Sequence, residues 1–423
     1  MLLRDETLFL LLEGYGWLPA LRRRSSGQVA QTRLMGRRAV GMCGPEAARF
    51  FYDEDHIRRH TAIPEPVLST LLGHGAVHTL DGDHHRVRKA MFMSLLTGPG
   101  VASLVTHTSA CWDEAVDAWT LERQVVLFDE AAKVLTRGVC RWAGIPLDES
   151  EVPALAAGLT ATVDGFGSGG PRHWRARLAR IRREAWLGDL VQQVRDGTAT
   201  AATGSALDVV AGHRDADGKL LDPRLAAVEL LNVIRPTVAV SWFVTFAAHA
   251  LHRWPEHRAA LLSGDPSFAE AFAHEVRRFY PFAPFVAGRA VRELSWAGES
   301  IPAGSLVLLD VYGQNHDPGL WDEPYTFDPQ RFVGRQMGEY DLIPQGGGDP
   351  ATGHRCPGED ITIALLQTLA VRLARLDYDV PQQDLTISLR RIPARPASGF
   401  VMAVPSPATT RQPASARRAG TGL

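Results

Sequence analysis

Between Leu225 and Arg253 the chain carries only two charged residues before its last, Glu229 and Arg235. The uncharged part, Pro236 to Ala248, is too short to span a bilayer, which takes roughly 20 apolar residues. The segment therefore reads as a helix running through a protein interior. Helical periodicity dominates from about residue 85 to 280, and shorter β-like stretches lie towards both ends, at Arg37 to Met42 and Ser305 to Tyr312. The pattern predicts one mainly α domain with a minor β portion over residues 1–404. From Pro405 the chain is Pro, Ala, Ser, Thr and Arg with no acid, so 405–423 is expected to be a disordered tail.

The chain has 423 residues, enough to bury a large core and enclose a cofactor, and no internal repeat. Lys and Arg number 45 against 47 Asp and Glu, a net charge of −2, which offers no global field for nucleic acid or anionic lipid. Cys43, Cys111, Cys140 and Cys356 lie far apart without a CxxC pair, excluding a zinc ribbon, a thioredoxin-type site and a disulfide scaffold. The apolar run Leu8 to Leu12 is too short for a signal peptide or a membrane span. A cytoplasmic, monomeric protein without a nucleic-acid partner is the expectation.

One of those cysteines stands in Gln345-Gly-Gly-Gly-Asp-Pro-Ala-Thr-Gly-His-Arg-Cys-Pro-Gly-Glu359, ahead of a helical pattern from Asp360 to Leu376. A helix start offers unpaired N–H groups that favour a thiolate, and Gly353 and Gly358 would let backbone approach a flat ligand. A single thiolate ligand with an open position opposite suits haem iron; a buried cysteine in a glycine-rich turn is the plainer alternative.

The loop resembles the haem-thiolate signature of the cytochromes P450, and three further elements follow in that family's order. Glu275-Val-Arg-Arg278 matches the ExxR helix, whose Glu275 and Arg278 share a face at i,i+3. Asp328-Pro-Gln-Arg-Phe332 matches a later element whose Arg331 would complete a buried ion network with that pair. Asp81-Gly-Asp-His-His-Arg-Val-Arg-Lys89 resembles the helix in which His85 and Lys89 would meet haem propionates. The loop departs from the common pattern, with Asp349 where Phe is usual and His354 where Arg is usual. The resemblance implies haem b on Cys356, with Gly348, His354, Arg355 and Arg289 as further cofactor contacts.

In most P450s the long helix carries an acid and then an alcohol, which deliver protons to bound dioxygen. Here Arg235 and Pro236 occupy those places, and neither can relay a proton. A guanidinium in an apolar helix is costly unless it meets an anion, and its fork matches a carboxylate. Glu229, six residues away, would not share its face. Pro236 removes a helical hydrogen bond to the Asn232 carbonyl and should bend the helix.

The Arg-Pro pair and the cysteine loop, together with Thr32-Arg-Leu-Met-Gly36 and Tyr280-Pro-Phe-Ala-Pro-Phe285, resemble the fatty-acid peroxygenase branch. That implies hydrogen peroxide as oxidant without a redox partner. It also implies a fatty acid whose carboxylate, held by Arg235, acts as the acid-base, giving α- or β-hydroxy acids or terminal alkenes. His78 matches a distal position associated with decarboxylation, and Leu72 falls where several relatives have Phe. Phe282 and Phe285 are candidate substrate contacts, Phe279 lines the channel or packs the core, and Trp242 and Phe243 are core. The alternatives are a monooxygenase fed by ferredoxin and NAD(P)H, and a non-catalytic haem protein.

Overall fold

The structure, a computed structural model, describes residues 3–25, 29–122 and 124–405; the expected tail beyond lies outside them. Its axis is the helix Pro223–Arg253. Asp222 caps the helix by accepting the Arg224 N–H, Pro223 needs no donor in the first turn, and Pro255 follows closely after its end. The helices Leu127–Ala143, Pro171–Arg195, Val152–Asp164, Ala206–Gly212 and Glu359–Arg375 pack around it. It is long and apolar enough to cross a membrane, but it is buried in the core of the chain. It continues unbroken through Pro236.

A five-stranded sheet flanks this helical body in the order Ala30–Leu34, Arg37–Met42, Leu306–Leu309, Val286–Ala290, Ile57–Arg58. The pairing of Arg37–Met42 with Leu306–Leu309 is parallel and the others are antiparallel. The β stretch expected from Ser305 to Tyr312 stops at Leu309, because Asp310 accepts the Gly313 N–H and starts the short helix Val311–Asn315. Asp310 is itself buried against Arg22 at 2.9 Å, and burial raises its carboxyl to about 6.

The body is locked to the segment before the cysteine loop by one buried cluster of charges. Arg278 donates Nε and Nη2 to the two oxygens of Glu275, each at 2.7 Å, from one helix, Pro266–Phe279. Arg331 Nε reaches the same carboxylate at 3.3 Å, and the Asp328 N–H donates to it at 2.8 Å. Spare Arg278 donors hold the carbonyls of Asn315 and Pro324. Burial pushes the Glu275 carboxyl up, and Arg278 is the main force pulling it back. Replacing Arg278 with Leu strands that carboxylate, and should cost about 3–5 kcal/mol in urea unfolding. A loss below about 1 kcal/mol, the level of a surface ion pair, would contradict this role.

Candidate active site

Cys356 lies just ahead of Gly358, the N-cap of helix Glu359–Arg375. Its N–H donates to the Gln345 carbonyl at 2.9 Å, and Gln345 Nε2 approaches its sulfur at 3.7 Å while also donating to Thr362. Burial raises the thiol pKa, against the lowering effects of the Gly358 N–H, Lys89 and Gln345. The Gly358 N–H at the helix start acts in the expected direction, favouring a thiolate, but burial opposes it. Cys356 nevertheless keeps accessible surface.

The loop is fixed by Glu359, which accepts from Arg277 and from Arg355 Nε at 2.6 Å. Arg277 also donates to the Gln345 side chain at 3.1 Å. Arg355 Nη1 reaches the Gly348 carbonyl at 3.3 Å, and Gly348 has φ +81°, a conformation that favours glycine. Both residues are thereby committed to the loop's own shape. The two glycines expected to admit a flat ligand differ: a Cβ on Gly353 would meet the Asp349 carbonyl at 2.9 Å, so Gly353 serves the turn. A Cβ on Gly358 would find only Leu96, at 3.9 Å.

Arg235, 6% exposed, lies near enough to Cys356 for the two charges to interact. Its recorded hydrogen bond is Nη2 to Asn232 Oδ1 at 3.2 Å, its Nε has none, and no salt bridge reaches it among the described residues. Burial lowers its pKa to about 9, with Arg180 adding repulsion and Cys356 attraction. Glu229 faces elsewhere: it is fully buried, and it accepts from Arg88 at 2.7 Å and the Val77 N–H at 2.8 Å. Asn232 links the two, donating weakly to Glu229 at 3.4 Å and to the Leu72 carbonyl at 2.8 Å. From Ala226 to Ala248 of this helix, Pro236 alone is not buried, so it too fronts open space.

Phe282 packs on Trp242 and Phe243, beside the long helix. Phe279 packs with Trp254 and Phe327. Phe285 instead packs on Trp17 in a separate cluster next to the sheet, so the structure does not bring Phe282 and Phe285 together.

On the third side three imidazoles and a lysine gather. His78 and His85 are lowered to about 3 and His354 to about 4, in each case chiefly by burial. His85 and His354 stack with centroids 4.0 Å apart, and His354 Nε2 lies 3.5 Å from Asp81 and 3.6 Å from Glu54. Nδ1 of both His78 and His85 is buried without a partner. Lys89, 2% exposed, donates to the Arg355 carbonyl, and burial lowers its pKa to about 8. Arg59 is a buried cation that sequence reasoning missed; it donates to the Ala287 carbonyl and stacks over Phe51. Arg289 donates to Gly304 and Thr61, and lines a groove of about 570 Å³ with Thr79, Leu80 and Asp81.

Arg59, Lys89 and Arg235 thus form no salt bridge among the described residues. Buried cations without salt bridges, unpartnered imidazole nitrogens and a cysteine sulfur, close enough for their charges to interact, fit a planar iron complex with pendant carboxylates.

Comparison with known proteins follows that geometry. The family model described as Cytochrome P450 matches residues 267–395. Among curated sequences, Abscisic acid 8'-hydroxylase 3 from Oryza sativa subsp. indica is 25% identical over 398 residues, spanning 84% of this chain and 75% of its own. Among solved structures, cytochrome P450SP alpha (CYP152B1) in complex with (R)-ibuprophen superposes with a TM-score of 0.91 at 44% identity, covering 94% of this chain and 98% of its own. Cytochrome P450EX alpha (CYP152N1) with myristic acid gives 0.90 at 38%, covering 95% and 98%. A variant of cytochrome P450 OleT in complex with arachidonic acid gives 0.91 at 36%, with the same coverage.

Six imidazoles, those of His78, His85, His249, His274, His316 and His354, are held near 3–4 by burial. The unfolded chain protonates each at about 6.5, so between these values it binds more protons than the folded one. Stability is therefore full above pH 6.5 and falls towards pH 4. A thermal melt should show Tm dropping steadily from pH 7 to pH 4.5; a flat profile would contradict the burial of these rings.

Proposed function

We propose, for a chain that belongs to the cytochrome P450 family and lies close to its CYP152 members, that it is a fatty-acid peroxygenase: it uses hydrogen peroxide to hydroxylate fatty acids at Cα or Cβ and to decarboxylate them to terminal alkenes. The observation that carries this reading is Arg235, a buried guanidinium that meets no carboxylate among the described residues.

Haem b ligated by the Cys356 thiolate would supply the oxidising chemistry, the thiolate favouring O–O cleavage. Lys89, Arg59 and Arg289 are the cations available to its propionates, with His85 and His354 offering imidazole nitrogens. Arg355 and Gly348 contribute through the shape of the loop.

Arg235 binds the substrate carboxylate bidentately, and Asn232 holds one arm of the fork in place. The guanidinium cannot move a proton, so the carboxylate it holds does so. One carboxylate oxygen takes a proton from hydrogen peroxide and returns it to the other peroxide oxygen, which leaves as water; the remaining oxygen atom ends in the hydroxy acid, or in a second water when the products are carbon dioxide and the alkene. Anchoring by the carboxylate also brings Cα and Cβ, rather than the tail, to the reacting centre. Leu72 and Phe282 are the proposed contacts for the tail, Phe282 packing on Phe243 of the long helix, whereas Phe285 belongs to the packing beside the sheet. With its pKa near 3, His78 is a neutral ring at pH 7 and acts as a hydrogen-bond donor, not an imidazolium acid.

The test is turnover of a C12–C18 fatty acid by the ferric enzyme with hydrogen peroxide and no reductant, read by gas chromatography-mass spectrometry. Hydroxy acids or alkenes one carbon shorter are expected, and Arg235→Ala should lower the rate by at least about 100-fold, the scale of losing one preorganised charge contact. Products only on adding ferredoxin and NADPH would overturn the reading in favour of a monooxygenase. In the same assay His78→Gln should lower the alkene-to-hydroxy-acid ratio while total turnover stays within an order of magnitude. An unchanged ratio would remove His78 from the branch point.

A further inference from the structure

The net charge of −2 conceals a segregated surface. Helix Thr7–Glu13 turns Leu8, Leu11 and Leu12 outwards, 63%, 56% and 57% exposed. Helix Pro171–Arg195 does the same with Trp174, Leu178 and Ile181, at 62%, 48% and 55%. These last three are spaced four and three residues apart and so form one stripe.

The two helices meet through a shared loop. The Tyr15 N–H donates to the Leu389 carbonyl at 2.9 Å, and Arg172 Nη2 donates to the Ile392 carbonyl at 3.0 Å. Arg391 of that loop and Arg172 both pair with Asp164. Leu389 is exposed at this junction, and so is Met35, whose N–H donates to Thr7 Oγ1 at 2.6 Å. Together these are eight of the fourteen large hydrophobic side chains exposed among the described residues.

The same stretches are rich in arginine. Residues 4–38, 164–184 and 385–395 carry sixteen of the chain's 45 Lys and Arg, all arginine, and only five of its 47 acids. Arg180 among them is buried, and Arg22, Arg24, Arg172, Arg175 and Arg391 are ion-paired. Two of those acids, Glu6 and Asp164, are buried. Arg177 and Arg182 flank the stripe with no salt-bridge partner among the described residues, and Arg177 lies 5.8 Å from the Trp174 ring centroid.

We propose that this face docks on an anionic lipid bilayer, with helix Pro171–Arg195 lying in the headgroup plane. An outward stripe holding Trp, Leu and Ile between arginines has the composition of a helix that lies in a membrane interface. Tryptophan favours the headgroup level, and the arginines are complementary to anionic lipid. An acidic soluble protein would match the charge but would not call for apolar side chains this far out on two separate helices. Docking would place the enzyme on the phase into which long-chain fatty acids partition. That consequence rests on the proposed substrate; the docking itself does not.

The experiment is co-sedimentation of the holoenzyme with vesicles of phosphatidylcholine alone or of equal parts phosphatidylcholine and phosphatidylglycerol. Binding to the phosphatidylglycerol vesicles, weakened by 0.5 M salt and absent on phosphatidylcholine, is expected. Trp174→Ser with Ile181→Ser should abolish most of it. Arg177→Gln with Arg182→Gln should lower the partition coefficient roughly fivefold per arginine, the equivalent of about 1 kcal/mol each. Both variants change exposed side chains and should keep the wild-type Soret spectrum and the wild-type turnover of a short, soluble acid. Three results would overturn the proposal: no binding to phosphatidylglycerol vesicles, equal binding by both variants, or binding to an acidic carrier protein and not to vesicles.

Discussion

A guanidinium buried in an apolar helix without a counter-ion is the constraint around which this molecule is built. Desolvation alone makes such a group costly, and here Arg180 adds repulsion from the neighbouring helix. The nearest acid on the same helix, Glu229, is already engaged by Arg88 and by the Val77 N–H. Among the described residues only Asn232 hydrogen-bonds to Arg235, and it does so as a neutral acceptor. On the proposed function, an entering substrate carboxylate supplies the missing counter-ion, so that the shortage of protein carboxylate around Arg235 becomes selectivity for an acid.

The rest of the frame serves to hold two facing elements apart. On one side the long helix presents Arg235 and Pro236, surrounded by buried residues for several turns either way. On the other, the cysteine loop is pinned by ionic contacts that run from Glu359 through Arg277 and Arg355 to Gln345 and Gly348. The Glu275–Arg278–Arg331 cluster ties the helix bearing Arg277 to the segment leading into that loop. Charges that are fully paired fix the walls, whereas charges left unpaired face the space between them.

How legible this was in the sequence depended on the range of the interaction. The long helix, the Arg37–Met42 strand and the helix after Cys356 follow from local periodicity and from capping, and their bounds agree with the structure to within a residue or two. The Glu275–Arg278 pair is an i,i+3 contact and equally local. Asn232 stands at the same spacing from Arg235 and Glu359 at i,i+4 from Arg355, so both contacts are equally local, but a neutral partner for a guanidinium and an ion pair inside the loop leave no motif of their own in the sequence. Arg59 carried no signal, because its burial beneath Phe51 arises only when distant strands pair. Phe285 misled for the opposite reason: an FxxF spacing suggests a shared wall, but Val286 begins a strand and turns the preceding ring towards Trp17. The clustering of arginine was invisible to composition, since a nearly neutral total averages over stretches with sixteen arginines and five acids.

The account turns on whether Arg235 recognises a carboxylate, and a binding measurement addresses this without reference to turnover. Calorimetric titration of the ferric enzyme with palmitic acid and with methyl palmitate, in the wild type and in Arg235→Leu, separates the head group from the tail. The account predicts that the wild type prefers the acid by about two orders of magnitude, the roughly 2–3 kcal/mol of a charge-assisted contact, and that the preference vanishes in the variant. Equal affinities for acid and ester in the wild type would contradict it.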